Sequence, residues 1–321
     1  MPRAEYAGHQ YLPKSAVLSF EEIVRVVRVL IPLGVGKVRL TGGEPLLRRD
    51  LPRLVEQLSE LGVELALTTN GTQLPQLASA LRSAGLDRIT LSLDTLDEGA
   101  FQQLADAPGY RASDVLLGLE AAERAGFGSV KINCVVRREL SHLQVEPLTQ
   151  HFRGSGHVLR FIEYMDVGMK NGWRASEVVS GAEILQRIGR MYPLQPLGPT
   201  QPTGTRAEVA RRYRLRDGSL ELGLITSITQ PFCGDCDRMR LSADGQIFTC
   251  LFASSGHDIK ALLRQDAKDV LLAEKLAQIW SARTDRYSAL RADLASVEAP
   301  QRGPTRHLPL LDRIEMPFIG G

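Results

Sequence analysis

The chain has 321 residues, 43% of them hydrophobic, with 39 Lys and Arg against 37 Asp and Glu for a net charge of +2. That length suits one large α/β domain, or a large domain carrying a smaller one. The balanced charge gives no basis for a nucleic-acid partner, no apolar run reaches membrane-spanning length, and the N-terminal MPRAEYAGHQYLPKS has no signal-peptide core. Four cysteines, three of them clustered, point to a metal site in a reducing cytoplasm rather than a disulfide framework.

In chain order, short β-branched runs alternate with amphipathic stretches. Strands are expected at Val38–Thr41, Glu64–Thr68, Arg88–Ser92, Val130–Val136 and Val158–Tyr164, with helices at Phe20–Leu33, Leu51–Leu61, Leu74–Ala84 and Asp114–Ala125 between them. Ser19 and Ser113 read as N-caps, and Gly34, Gly62, Gly85 and Gly126 as stops. Repeated β–α units imply a parallel sheet, either a barrel or an open doubly wound sheet, with ligands at the C-terminal strand ends. The Pro/Gly/Thr-rich loop Leu197–Thr205 reads as a domain boundary, dividing a core of residues 1–196 from an extension of residues 206–321. Beyond it, Val209–Leu215, Leu220–Ser227 and Met239–Leu241 suggest a small antiparallel sheet, followed by helices near Ile259–Leu263 and Val270–Ser281.

The strand ends are polar or glycine-rich. The first gives Thr41-Gly42-Gly43-Glu44-Pro45, where glycines allow close backbone approach to a ligand and Glu44 can accept from an amine. The second gives Thr68-Thr69-Asn70-Gly71 and the third Ser92-Leu93-Asp94. Period-two alternation puts Lys37 with Arg39, Lys131 with Asn133, and Arg238 with Arg240 on common faces, while Arg160 lies within its strand. Cys134 then falls on the opposite, helix-covered side as a small core residue. Singly, each arginine is more often a surface ion-pair partner. Gathered at one cleft, these cations form a triphosphate clamp, because guanidinium binds phosphate oxygens bidentately.

Cys233, Cys236 and Cys250 carry the sharpest signal. A Cys-x-x-Cys turn aims two thiolates at one point, and the third returns fourteen residues later. Three thiolates suit a [4Fe-4S] cluster with one iron open to a ligand. Structural zinc is the alternative, with His257 as its fourth ligand.

Taken together, LPKS…FEEIVRVV, KVRLTGGEPLLRRDL, LTTNG, AGLDRITLSLDTLD, VKINCVV, RFIEYMDVGMKNGW, PFCGDCDRMRLSADGQIFTCLFA and the terminal FIGG resemble the GTP 3′,8-cyclase family, the molybdenum cofactor biosynthesis protein A family of radical S-adenosylmethionine (SAM) enzymes. GGEP is shared by many radical SAM enzymes; RFIEYMDVG with the cysteine pattern and the double-glycine tail is more specific. The resemblance implies an incomplete TIM-type α/β barrel with a C-terminal α+β extension. One [4Fe-4S] cluster in the barrel binds SAM, and a second, on Cys233, Cys236 and Cys250, binds GTP. It implies GTP contacts at Lys37, Arg39, Thr68, Lys131, Arg160, Arg238, Met239 and Arg240, and SAM contacts at Gly42, Gly43, Glu44, Ser92 and Met165. Arg238 and Arg240, with Gly320 and Gly321 of the tail, take the catalytic roles. The implied reaction splits SAM to a 5′-deoxyadenosyl radical, which removes the 3′ hydrogen of GTP to yield 3′,8-cyclo-7,8-dihydro-GTP for a downstream cyclic pyranopterin monophosphate synthase. The implied assembly is a homodimer.

One feature departs from the family. Radical SAM enzymes hold the SAM cluster on Cys-x-x-x-Cys-x-x-Cys, which these 321 residues do not contain. In the family the third of those cysteines directly precedes Met-Pro, and this chain begins Met1-Pro2. The expectation is a sequence starting just past the cluster loop and the first barrel strand, through a misplaced start codon, and inactive as it stands. The alternatives are a catalytically dead GTP-binding iron–sulfur protein with a regulatory or scaffolding role, and a zinc-stabilised domain.

Overall fold

Period-two alternation divides each parallel strand into an apolar side and a polar side, and the fold follows from that division. A computed structural model describes residues 12–106, 109–168, 171–198, 209–265, 267–285, 287–288 and 314. In chain order these form α1 (Phe20–Leu30), β1 (Lys37–Leu40), α2 (Leu51–Ser59), β2 (Glu64–Thr69), α3 (Leu74–Ser83), β3 (Arg88–Ser92), α4 (Glu98–Ala105), α5 (Ala112–Arg124), β4 (Lys131–Val136), α6 (Val145–Phe152), β5 (Val158–Glu163) and α7 (Gly181–Met191). There follow β6 (Leu194–Leu197), β7 (Arg211–Leu215), β8 (Glu221–Ile225), β9 (Arg240–Leu241), β10 (Gln246–Phe248), β11 (His257–Asp258), α8 (Lys260–Arg264) and α9 (Asp269–Ser281).

Eight strands make one sheet in the order β1-β2-β3-β4-β5-β8-β7-β6. The neighbours from β1 through β5 to β8 are parallel, and β7 and β6 run antiparallel. With β1 and β6 as its two edges, the sheet stays open, as an incomplete barrel does. Leu65, Leu67, Ile89, Leu91, Ile132, Cys134, Leu159, Phe161, Leu222 and Leu224 all point to the helix-covered side and are buried in one core. Each fully buried Leu or Ile contributes about 1.5–3 kcal/mol by removal from water. Cys134 lies in this core as expected, with no exposed surface.

Helix α1 starts on the expected cap. The Glu22 N–H donates to Ser19 Oγ at 3.1 Å and the Ser19 N–H returns a bond to Glu22 Oε2 at 2.7 Å, a capping box. Ser113 is not a cap. Helix α5 begins one residue earlier, and its free N–H groups at Ala112 and Ser113 donate to the Glu98 carboxylate of α4 (3.0 and 3.2 Å), while Asp114 takes the Arg111 N–H (3.0 Å). An acid from the neighbouring helix therefore replaces the local hydroxyl.

The expected small antiparallel sheet divides differently. β7 and β8 join the main sheet, with β8 parallel to β5, and the separate sheet is β11-β10-β9. Gly223 explains how β8 fits: a Cβ there would lie 2.9 Å from Arg160 Cγ, so only glycine lets the strand pair with β5 while the Arg160 stem crosses it. The main sheet thus takes strands from both sides of the loop expected as a domain boundary. A second core joins α1 to the later elements β10, α8 and α9. Val26 and Val29 of α1 pack with Ile247, Ile259, Leu263, Leu272, Leu276 and Ile279, while Val24 and Val27 of the same helix face the main core. Arg25 to Asp269 (2.7 Å) and Arg264 to Glu22 (2.9 Å) flank this contact.

Candidate functional site

The polar side of the sheet carries Lys37, Arg39, Glu64, Thr68, Arg88, Thr90, Lys131, Asn133 and Arg160, brought together by register: Thr68 pairs with Thr90, Thr90 with Lys131, and Asn133 with Arg160. Arg39 Nη1 donates to Thr68 Oγ1 at 2.8 Å and to Thr90 Oγ1 at 3.1 Å. Arg160 Nε donates to Asn133 Oδ1 at 2.9 Å. Lys37 sits lowest on β1, where Glu64 Oε1 takes both Lys37 Nζ (2.9 Å) and Arg88 Nε (2.8 Å). Glu64 leaves most of this charge uncompensated. Burial, then the charges of Arg160, Lys37, Arg88 and Arg39, bring Lys131 down to about 8. Burial and Arg39 bring Arg160 down to about 10. A cluster of cations held this way is an anion site, since an anion relieves both the repulsion and the desolvation.

The expected SAM contacts lie along the C-terminal strand ends. Gly42 turns there with φ +146°, Gly43 is exposed, and Ser92 is exposed on the polar side beside Asn133. Glu44 differs from the expectation of a free acceptor. Its Oε1 accepts from the Leu46 N–H (2.9 Å) and the Thr69 hydroxyl (2.7 Å), and its Oε2 from the Asn70 N–H (2.8 Å), so it braces the ends of β1 and β2 against each other. Met165 follows β5, and its carbonyl accepts from Asn171 Nδ2 at 3.0 Å.

The cysteine site stands over the same strand ends. Cys233–Asp235 form a single 3-10 turn, and Cys250 follows β10. All three thiols are free and half-buried. Arg238 lays its guanidinium on Cys236, with Nε and Nη2 at 3.3 and 3.2 Å from Sγ. Burial opposes ionisation of Cys236, but the Arg238 charge and hydrogen bonds outweigh it and lower this thiol. Cys250 is raised, chiefly by burial, with a further push from Asp285. Arg240 comes down to about 10, by burial first and then by Arg238. Met239, expected beside them as a ligand contact, packs against the second core instead, because alternation turns it away from both arginines.

Two bridges tie this loop to the sheet. The Phe252 ring stacks on Tyr287 (4.7 Å), whose hydroxyl donates to Asp166 Oδ2 at 2.5 Å, next to Met165. The buried Glu163 carboxylate takes the N–H groups of Gly181, Ile228 and Thr229 at 2.8–2.9 Å, and the Thr229 hydroxyl at 2.6 Å. Sequence reading passed over Glu163, Thr90, Arg88 and Asp285. Alternation in RITLS was the available signal for Arg88 and Thr90, whereas Glu163 and Asp285 gain their roles only through distant partners.

Among the described residues no three His, Cys, Asp or Glu side chains come together closely enough to hold a single metal ion. His257, the expected fourth ligand of the zinc alternative, is exposed on β11. A four-iron cube holds its thiolates at separate corners, and Cys233 and Cys236 on one cleft, with the Cys250 thiol near enough to feel Cys233 and Cys236 favoured as thiolate by Arg238, fit that group. Cys134 fits no cluster: it is sealed in the core, and burial raises its thiol well above the ordinary value. Gly320 and Gly321 lie outside the described residues. No described helix is long and apolar enough to cross a membrane.

Comparison with known proteins agrees with this architecture. Residues 5–150 match the Radical SAM superfamily and residues 157–289 match Molybdenum Cofactor Synthesis C. The chain is 49% identical to the GTP 3′,8-cyclase of Acidothermus cellulolyticus, over all of this chain and 91% of that protein. It is 49% identical to the GTP 3′,8-cyclase of Xanthomonas campestris pv. campestris, over 95% of this chain and 84% of that one. Streptococcus suis SuiB bound to S-adenosylmethionine shares the fold at TM-score 0.57 and 16% identity, over 88% of this chain and 65% of SuiB.

Proposed function

Because the chain belongs to the GTP 3′,8-cyclase family of radical SAM enzymes, which act in molybdenum cofactor synthesis, we propose that it holds GTP between the cationic face of its sheet and a [4Fe-4S] cluster on Cys233, Cys236 and Cys250. The observation that carries this reading is Lys131, which is pressed by burial and then by the charges of Arg160, Lys37, Arg88 and Arg39. Such a residue calls for an anion, and GTP brings a triphosphate. Arg39 and Arg160, already aligned by Thr68, Thr90 and Asn133, present fixed guanidinium donors to it. When bound, the cluster supplies an open iron for the base. Arg238 holds Cys236 in its ligand form, and Glu163 and Tyr287 hold the loops on which the cysteines stand. Gly42, Gly43, Glu44, Ser92 and Met165 mark the SAM side, and the reading gives Gly320 and Gly321 catalytic roles. The reading extends to a cytoplasmic homodimer whose product passes to cyclic pyranopterin monophosphate synthase.

A second reading concerns the chemistry left to these 321 residues. Beyond the three clustered cysteines they contain only the core residue Cys134, so no residue here fits a SAM cluster. A polypeptide of this sequence then acts as a GTP-binding iron–sulfur protein. Anaerobic reconstitution with iron and sulfide, followed by iron analysis, GTP binding and SAM cleavage, tests both readings. About four irons per chain, GTP bound and SAM intact are expected. Absence of GTP binding by the reconstituted protein rules out the first reading, and SAM cleavage rules out the second.

A further inference from the structure

Asp285 lies against the cysteines with one carboxylate oxygen unsatisfied among the described residues. It lines a cleft of about 430 Å³ with Cys233, Cys236, Trp280, Arg283 and Thr284. Its Oδ2 is buried and accepts no hydrogen bond. Arg283, two residues before it, is committed elsewhere: Nη1 donates to the Cys236 carbonyl at 2.6 Å, and the guanidinium lies 4.3 Å from the Trp280 ring centroid. A buried carboxylate oxygen with no donor is costly, and native proteins rarely leave one unless something else completes it. The missing group must be a donor, and the cleft that Asp285 lines with Cys233 and Cys236 is where one can enter.

Resting on the proposed placement of GTP at the cysteine site, we infer that Asp285 reads the guanine base by accepting a hydrogen bond from its exocyclic 2-amino group. Guanine is the common purine that carries a donor there. Adenine and hypoxanthine carry none, so they leave the Asp285 oxygen unsatisfied in the complex. Asp285 is thus a specificity-determining residue for the base, as the sheet cations are for the triphosphate. Since the oxygen has no partner in the free protein, its removal costs no folding contact there.

The test compares equilibrium binding of GTP and ITP, which lacks the 2-amino group, to the reconstituted chain and to its Asp285→Ala and Asp285→Asn forms. The chain is expected to prefer GTP by about 10- to 100-fold, the range of one hydrogen bond to a charged group. Asp285→Ala should bind ITP as the chain does and lose the preference, and Asp285→Asn, which keeps an acceptor, should regain part of it. Equal binding of GTP and ITP by the unsubstituted chain overturns the inference even if both variants misfold. So does an unchanged preference in Asp285→Ala. If that unchanged preference comes with an altered electron paramagnetic resonance signal of the nucleotide-free cluster, Asp285 is instead a ligand to the iron. Failure of the chain to bind either nucleotide removes the GTP reading itself; GTP binding with an unaltered preference removes only the role of Asp285.

Discussion

Glu163 and Thr229 share two hydrogen bonds, from the Thr229 N–H to Oε2 at 2.9 Å and from its hydroxyl to Oε1 at 2.6 Å. Glu163 ends β5 two residues before Met165, and Thr229 lies four residues before Cys233. One carboxylate, 1% exposed, therefore fixes the cysteine loop to the strand end where SAM contacts are expected. The Gly181 N–H on the same oxygen pair adds the first turn of α7 to this junction.

Glu163→Gln should show how much the junction carries. The amide turns an NH₂ towards N–H donors, leaving at least one buried N–H unsatisfied, at about 1–3 kcal/mol. Urea unfolding of the metal-free protein should give a lower midpoint with an unchanged slope, and reconstitution should give fewer irons per chain. An unaltered midpoint would mean that the loop is held by other contacts.

The β–α alternation was legible because burial on one face imposes a period that sequence displays directly. Lys131, Asn133 and Arg160 could be assigned to the polar side, and Cys134 to the core, from that period alone. The strand order was not legible. Nothing local in ELGLI says that it pairs with β5, and only the contact between Gly223 and the Arg160 stem makes the glycine meaningful. Helix α6, which is not among the expected helices, holds Pro147 in its first turn, where its missing N–H is not needed. Arg238 was read as a phosphate ligand, but its placement on Cys236 depends on a turn geometry that spacing does not specify.

Lys131 makes binding sensitive to pH. Its folded value is about 8 against an ordinary 10.5, so between these the unfolded chain holds a proton that the folded chain lacks. Stability of the ligand-free protein therefore rises with pH across that window as the buried charge is relieved. A bound triphosphate favours the charged form, so GTP binding at about pH 9 should take up a proton, seen by calorimetry in buffers of different ionisation enthalpy. Lys131→Met should abolish that uptake and weaken GTP by about 10- to 100-fold, the loss of one charged hydrogen bond. Proton uptake persisting in Lys131→Met would assign it to another group.

Arg238 acts on Cys236 before any ligand arrives. Removing the guanidinium in Arg238→Ala takes away its charge and its side-chain hydrogen bonds, so burial, which raises this thiol, is opposed by the Arg238 backbone N–H and the Arg283 charge that remain. The thiolate fraction near neutral pH should fall, slowing alkylation of Cys236 in the metal-free protein and shifting its pH–rate curve upwards. Alkylation of Cys233 provides the internal reference, since Arg238 makes no bond to it. Cluster assembly should slow in parallel, and GTP binding should weaken once the cluster is in place. An unchanged Cys236 profile would show that the guanidinium leaves the thiol in solution.

Gly118 in α5 separates packing from helix propensity. An alanine Cβ there would stand 2.2 Å from the Gly71 carbonyl oxygen. That carbonyl cannot yield, because it accepts the Leu74 N–H that opens α3 (3.0 Å), and the Gly71 N–H is bound to Thr69 Oγ1 (3.0 Å), itself held by Glu44. Gly118→Ala should destabilise by about 1–3 kcal/mol, the usual range for overpacking, and should loosen the strand-end brace at Glu44. Gly189 in α7 is the control, since a Cβ there meets nothing within 4 Å. Gly189→Ala should stabilise by up to about 1 kcal/mol through helix propensity alone. Opposite shifts of the urea midpoint for the two alanines are therefore expected, and shifts of the same sign would refute the close contact between α5 and the end of β2.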